Sequence, residues 1–260
     1  MTEKTYETLL VTDMAEGVVL CTFNRPEVRN ALDITMVEDV RNLLTELTLR
    51  DDMRALVFTG AGGKAFISGA DIAQLKERGK FDALRRINSA LFREIEQFQW
   101  PTIAAIDGFA LGGGCELALA CDIRIASTSS KLGQPEVSLG IIPGAGATYR
   151  LPRLVGQGMA RELIYTGRII DAETALQIGL LNRVVSSEQL LDTASELAQE
   201  IARNSAMALR FAKLSLNNSL EASPEACMTY ESTAQALLFE DAEKHARMGK
   251  FLERRQSKKK

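Results

Sequence analysis

The segment AIDGFALGGGCELALACDIRIAS, residues 105–127, carries one charged residue between Asp107 and Asp122, and it is Glu116. A carboxylate flanked by Cys115, Leu117, Ala118 and Leu119 is almost never fully buried unless it is paired, so it is either turned to solvent or placed there for chemistry. A second carboxylate, Glu136, follows Pro135 in LGQPEVSLGIIPGAG and precedes another run of apolar residues and glycines. Alone, a Glu at the start of a helix compensates the helix dipole. Two carboxyl groups in one pocket can instead divide the work of general acid and general base. Two glycine-bearing segments, GADI at 69–72 and GGGCE at 112–116, lead straight into predicted helices. The first N–H groups of a helix lack intrahelical partners, and glycine lets an oxygen approach them. Two such ends facing each other make an oxyanion hole; each taken singly is a tight strand-to-helix turn.

Other chemistries are poorly supplied. His245, in EDAEKHARMGK, is the one histidine, and a charged helical stretch is a surface setting. A Ser/His/Asp or Cys/His nucleophile is therefore not expected, and a metal site loses its commonest ligand. Proton transfer falls to carboxylates, Lys or Tyr. The four cysteines, at 21, 115, 121 and 227, have no CxxC spacing, which suggests neither zinc nor a disulfide framework and points to a reducing compartment. Thirty-one basic residues against 34 acidic ones, net −3, give no footprint for nucleic acid or an anionic membrane. The terminal RRQSKKK is expected to be a solvated tail. MTEKTYETLL lacks the signal-peptide pattern, and the apolar runs are broken well before the ~20 residues of a membrane span, so a cytoplasmic protein is expected. GAGGKA at 60–65 meets a loose dinucleotide pattern, but no helix follows at once and no nucleotide cofactor is expected.

The elements that must position these residues follow from periodicity. YETLLV and VVLCTF alternate as a hairpin joined by TDMAEG. Asp33 is an N-cap for a helix whose buried face would hold Ile34, Val37, Val40, Leu44 and Leu47. RALVFTG is a buried strand ending in a glycine-rich loop that feeds a helix from about Asp71. Residues 81–99 predict one helix with Phe81, Leu84, Ile87, Leu91, Ile95 and Phe98 on one face. TIAAID is a strand with a glycine-rich loop into the Glu116 helix, and IRIAS is a third strand. Strand, glycine loop and helix occur twice, with Thr59-Gly60 and Asp107-Gly108 48 positions apart, a spacing at which structural units stack into a spiral. From about residue 186 the pattern is helical, giving an α/β core and a helical extension suited to subunit packing.

Taken together, NRPEVRNAL, FISGADI, AIDGFALGGGCELALACDIRIA, LGQPEVSLGIIPGAGATYRLPR and YTGRIIDAETALQIGLLNRVV resemble the enoyl-CoA hydratase/isomerase (crotonase) superfamily from about residue 18 to 190. The resemblance implies an α/β, crotonase-like spiral of ββα units over residues 1–195 and a helical trimerisation region over 196–260. It implies that the backbone N–H groups of Ala70 and Gly113 hold a thioester oxygen, that Arg29, Ala31, Ser68, Asp71 and Ile72 belong to the CoA pocket, and that Glu116 and Glu136 fall where hydratases have glutamate. By the same resemblance Glu116 handles the water and Glu136 the Cα proton in adding water to a 2-enoyl-CoA. No metal and no cofactor is implied beyond the coenzyme A carried by the substrate. The implied partners are the acyl-CoA and two or five further copies of the chain, as a homotrimer or homohexamer, with no nucleic acid and no membrane. Tyr149 stands where hydratases often have Gln and Asp107 where many have Asn, departures that bear on acyl-chain preference. Isomerases of the same superfamily, and RNA binding on the same fold, are the alternatives.

Overall fold

The computed structural model describes residues 6–257. They fall into two compact units, one ending at Ile201 and one beginning at Ala202. A division at 195/196 would cut through the helix Leu190–Ala202, which buries Leu190, Ala194 and Ala198.

The first unit opens with β1 (Leu9–Ala15) and β2 (Val18–Phe23), an antiparallel hairpin with Leu9 opposite Phe23. β1 runs on through Thr12–Ala15, so most of the segment expected as a loop is strand, and Glu16 with Gly17 (φ 71°) makes the turn. α1 (Ile34–Thr48) begins at Asp33, whose side chain accepts a hydrogen bond from the Met36 N–H at 2.8 Å. Its buried face is Met36, Val37, Val40, Leu43, Leu44 and Leu47. Ile34, expected on that face, is 47% exposed; it lies two residues, roughly 200°, round the helix from Met36.

β3 (Ala55–Gly60) is followed by a second short strand, β4 (Ala65–Ile67), inside what the sequence suggests is loop. Then come α2 (Ile72–Glu77), α3 (Lys80–Leu84) and α4 (Ile87–Glu96). The single helix expected over 81–99 is thus broken. Arg86 takes a left-handed conformation (φ 54°), which turns the apolar stripe: Phe81 and Leu84 are 67% and 74% exposed, whereas Leu91, Phe92 and Ile95 are buried. The apolar spacing continues across the break, so periodicity alone does not reveal it.

Next follow β5 (Thr102–Ile106), β6 (Phe109–Leu111), α5 (Gly113–Ala120), β7 (Ile123–Ser127) and β8 (Lys131–Gly133). A 3-10 turn over Pro135–Leu139 leads to α6 (Ala147–Val155), α7 (Gln157–Thr166), β9 (Ile169–Asp171), α8 (Ala172–Gln177), β10 (Arg183–Val185) and α9 (Leu190–Ala202). One sheet has the order β1-β2-β3-β5-β7-β10 and the other β4-β6-β8-β9. β3, β5 and β7 are parallel neighbours in the first, while β4, β6 and β8 are parallel neighbours in the second. Each circuit of the chain therefore gives one long strand to one sheet and one short strand to the other before turning helical. The chain makes three circuits where the sequence showed two. The 48-residue spacing is not the period, because β5 starts at Thr102 and β7 already at Ile123; the first circuit is lengthened by α2, α3 and α4.

The second unit contains α10 (Ala206–Asn218), α11 (Pro224–Phe239) and α12 (Ala242–Ser257). Ser205 and Ser223 cap the first two, accepting hydrogen bonds from the N–H groups of Ala208 and Ala226. Leu216, Met228, Leu237, Phe239, Phe251 and Leu252 are all exposed in this chain. His245 is exposed on α12. Lys258–Lys260 of the basic tail and Met1–Thr5 of the N-terminal segment lie outside the described residues. Among the described residues no helix is long and apolar enough to cross a membrane.

α5 and β4 approach each other closely in the first unit. A Cβ at Gly114 would fall on the carbonyl of Ile67. Gly114→Ala is therefore expected to destabilise the protein by about 1–3 kcal/mol, the usual effect of overpacking. Urea unfolding checks this, and an unchanged midpoint would mean that α5 can draw back from β4 without loss.

Candidate active site

β4 and β6 both end against an open cavity of about 890 Å³ lined by residues of the first unit. Of the residues singled out by sequence, Ala31, Ser68, Ala70, Asp71, Ile72, Gly113, Glu116 and Glu136 line it. Arg29 does not. Its backbone is left-handed (φ 53°), and its carbonyl accepts from the Ser68 N–H at 3.1 Å, so it shapes the wall from behind.

The two backbone donors are set by local geometry. Ala70 forms an isolated parallel bridge with Leu32: the Leu32 N–H donates to Gly69 O at 2.8 Å, and the Asp71 N–H donates to Leu32 O at 3.1 Å. Because the residues on either side of Ala70 face Leu32, the N–H of Ala70 itself is turned the other way. Gly113 is the first residue of α5 and has no carbonyl one turn before it in the helix. Among the described residues neither N–H has a hydrogen-bond acceptor. The two are adjacent, since a Cβ on Gly113 would stand 3.8 Å from the Ala70 nitrogen. Gly112 allows this approach with φ 50° and ψ −120°, a conformation closed to other residues. A Cβ there would also meet Glu136 Oε1 at 2.9 Å. The carboxyl of Glu136 thus rests against the α-carbon next to the Gly113 donor.

Glu116 is 2% exposed, in the first turn of α5. Its Oε1 accepts from the N–H groups of Ala145 at 2.8 Å and Ala147 at 3.0 Å. Burial raises its pKa; the two N–H bonds and the charge of Arg150 oppose that rise without cancelling it. Glu136 is half-buried in the 3-10 turn. Burial is the larger reason that its pKa is raised to about 7, and the charge of Glu116 adds to it. The amide of Gln134, 1% exposed, lies 3.1 and 3.2 Å from the two Glu136 oxygens and donates to them through its nitrogen.

Several residues that build the site were not picked out from sequence. Asn30 lies between two that were, within RNAL. It is fully buried with φ 56°, accepts from the Arg25 N–H at 2.9 Å, and donates to the carbonyls of Ala61 and Ala65 at 3.0 and 2.8 Å. Arg25 donates to the Ala31 carbonyl at 2.7 Å and pairs with Asp33 at 2.8 Å. The apolar part of the wall comes from Leu75, Ile87, Leu139, Ile141 and Ile142. Leu139, Ile141 and Ile142 are exposed apolar residues in a run that sequence would bury, and they line the cavity. Asp107, noted as a departure, is outside the cavity. Its Oδ1 accepts from the hydroxyls of Ser127, Ser129 and Ser187 at 2.6, 3.3 and 3.1 Å. Tyr149 stacks under Arg150, whose guanidinium carbon is 4.7 Å from the ring centre.

Two sheets built from repeated circuits, with helices outside, are the crotonase fold. The crystal structure of enoyl-CoA hydratase from Bacillus anthracis superposes with a TM-score of 0.92 at 38% identity, covering 95% of this chain and 97% of that one. The family model for enoyl-CoA hydratase/isomerase matches residues 13–260. The short-chain-enoyl-CoA hydratase of Clostridium acetobutylicum is 41% identical over 240 residues, 92% of each chain. The crotonyl-CoA hydratase of Syntrophomonas wolfei is 39% identical over 254 residues, 97% of each. The chain belongs to the enoyl-CoA hydratase/isomerase family.

The raised pKa of Glu136 has a consequence for stability. A carboxyl that ionises at about 7 when folded and at its ordinary 4.5 when unfolded stabilises the fold least once pH has climbed through that window. Glutamine escapes the loss. The Tm of Glu136→Gln minus that of the unaltered protein should therefore be larger at about pH 8 than at about pH 5. Equal differences at the two pH values would show that Glu136 ionises at its ordinary value.

Proposed function

We propose that the chain is a hydro-lyase that adds water syn across the 2,3 double bond of a 2-enoyl-CoA thioester, giving a 3-hydroxyacyl-CoA. The observation that carries this reading is the meeting, in one cavity, of two unpaired backbone donors with two carboxyl groups whose surroundings differ. Addition of water builds negative charge on the thioester oxygen, and the N–H groups of Ala70 and Gly113 are already oriented to receive it. Glu116 orients the water that attacks Cβ and takes its proton. Glu136 delivers a proton to Cα on the same face. Two hydrogen bonds to Oε1 oppose the rise that burial gives the pKa of Glu116, while the pKa of about 7 keeps Glu136 partly protonated at neutral pH. One carboxyl gains the proton that the other gives up, so the pair exchanges roles in the reverse elimination. The step draws on no metal and no cofactor other than the coenzyme A of the substrate.

Ala31, Ser68, Asp71 and Ile72 would border the CoA moiety, with the apolar wall of Leu75, Ile87 and Ile141 left for the acyl chain. The relatives named for short-chain and crotonyl substrates favour a short acyl group here. Free thiols at Cys21, Cys115, Cys121 and Cys227 suit a reducing, cytoplasmic setting.

Crotonyl-CoA is the direct test, read as loss of the enoyl absorbance. Glu116→Gln and Glu136→Gln are each expected to lower kcat by about two to four orders of magnitude, with KM little changed. Full hydration by both variants would overturn the assignment, and a substrate left untouched by the unaltered protein would favour an isomerase. For assembly, the exposed apolar residues of α10, α11 and α12 favour a trimer or a dimer of trimers. Light scattering at micromolar concentration should return three or six chain masses, and a monomer would exclude this.

A further inference from the structure

The carboxylate of Glu116 is held by the N–H groups of Ala145 and Ala147, both from the stretch that leads into α6. Irregular backbone of this kind is ordinarily free to shift. Here it is tied down by Arg150, one turn into α6 and 4% exposed, which reaches back with Nη1 to the Ala145 carbonyl at 3.1 Å. Its Nε and Nη2 meet the two oxygens of Glu96 at 3.1 and 2.9 Å, fork against fork. Arg93 adds a bond to Glu96 Oε2 at 2.8 Å. Glu96 ends α4, and α4 packs against α5, the helix that carries Glu116. The contacts close a ring from Glu116 through the loop, α6 and α4 back to α5. Gly146, with φ 126°, belongs to the same device: a Cβ there would fall on the Arg150 guanidinium.

Stability is a poor account of this pair. Removing two charges from water offsets much of their attraction, and apolar side chains of the same size often stabilise as well. What they could not supply is a donor for the Ala145 carbonyl and a positive charge near Glu116. We infer that Arg150 is a positioning residue for Glu116: it fixes the two N–H groups on Oε1 and leaves Oε2 to meet the water. The inference rests on the hydratase reading, in which Glu116 handles water.

The charged and titratable groups around Glu116 are Glu136 from the 3-10 turn, Arg150 from α6 with Glu96 and Arg93 of α4 behind it, and the neighbouring Cys115 thiol on α5. Burial pushes that thiol up to about 12, so it is neutral. Beside the backbone N–H groups, Arg150 is the charged group that favours the ionised form of Glu116. Without Arg150 the pKa of Glu116 rises, and hydration, which needs the carboxylate, fails at a higher pH as the solution is acidified.

The test measures crotonyl-CoA hydration by the full chain and by Arg150→Met, Arg150→Lys and Glu96→Gln, from about pH 5 to pH 9, the range in which the acid limb would move. Arg150→Met should lower kcat about ten- to a hundredfold, the scale of a misplaced catalytic group, with KM within about threefold and the acid limb of the kcat profile moved upward. Arg150→Lys should return the limb towards its original pH but recover kcat only in part, because an ammonium replaces the charge and not the fork. Glu96→Gln, which keeps the arginine and loosens its clamp, should lower kcat with the limb little moved. A folded Arg150→Met with unaltered kcat and acid limb overturns the inference. So does a loss that Arg150→Lys fails to repair in either respect. Should Arg150→Met not fold, Arg150→Lys and Glu96→Gln decide, and original kcat in both overturns it. An unaltered protein that does not hydrate crotonyl-CoA overturns the hydratase reading itself, whereas an active one with indifferent variants overturns only the role of Arg150.

Discussion

The close passage of the first turn of α5 across the end of β4 governs this structure. Gly112, Gly113 and Gly114 lie against Ile67–Ala70 and Glu136 so tightly that side chains at two of the three positions would collide. The same passage brings the unpaired N–H of Ala70 beside that of Gly113, and it is available only because β4 and β6 are neighbours in the smaller sheet. The spiral exists, in this sense, to set two strand ends side by side. Asn30 then holds the segment before Ala70 through the carbonyls of Ala61 and Ala65, and Arg25 holds the Ala31 carbonyl beside the Leu32–Ala70 bridge.

The second constraint is electrostatic. Glu116 is surrounded by apolar neighbours on its own helix, and burial of its charge would be prohibitive without partners. Those partners are backbone N–H groups from another circuit, reinforced by a buried arginine whose own charge is met by Glu96. Glu96 illustrates the balance: burial alone would raise its pKa, but Arg150 and Arg93 outweigh burial and hold it below the usual carboxylate range. Glu136 has no cation to offset its burial, and its pKa rises to about 7. Two glutamates of identical chemistry thus meet different surroundings.

Much was determined by sequence alone: the hairpin, the Asp33 cap, the buried strands and the glycine-led entry to α5. These depend on neighbours a few residues away, where period-2 and period-3.6 patterns and N-cap chemistry operate. The two glutamates stood out because a carboxylate in an apolar run needs a reason. What the tertiary structure decided was everything that joins distant segments. The third circuit does not repeat the 48-residue spacing, because only the first circuit carries the extra helices α2, α3 and α4. The break at Arg86 leaves the apolar period intact while turning its face. Arg29 was drawn to the cavity by its motif, yet its side chain lies outside and its neighbour Asn30 does the structural work. Arg150 and Glu96 sit 54 residues apart and meet only when α4 and α6 flank α5. Local patterns can say which side chains must be buried; which charges find each other in that interior is a property of the fold, since it depends on contacts that no short stretch of chain contains.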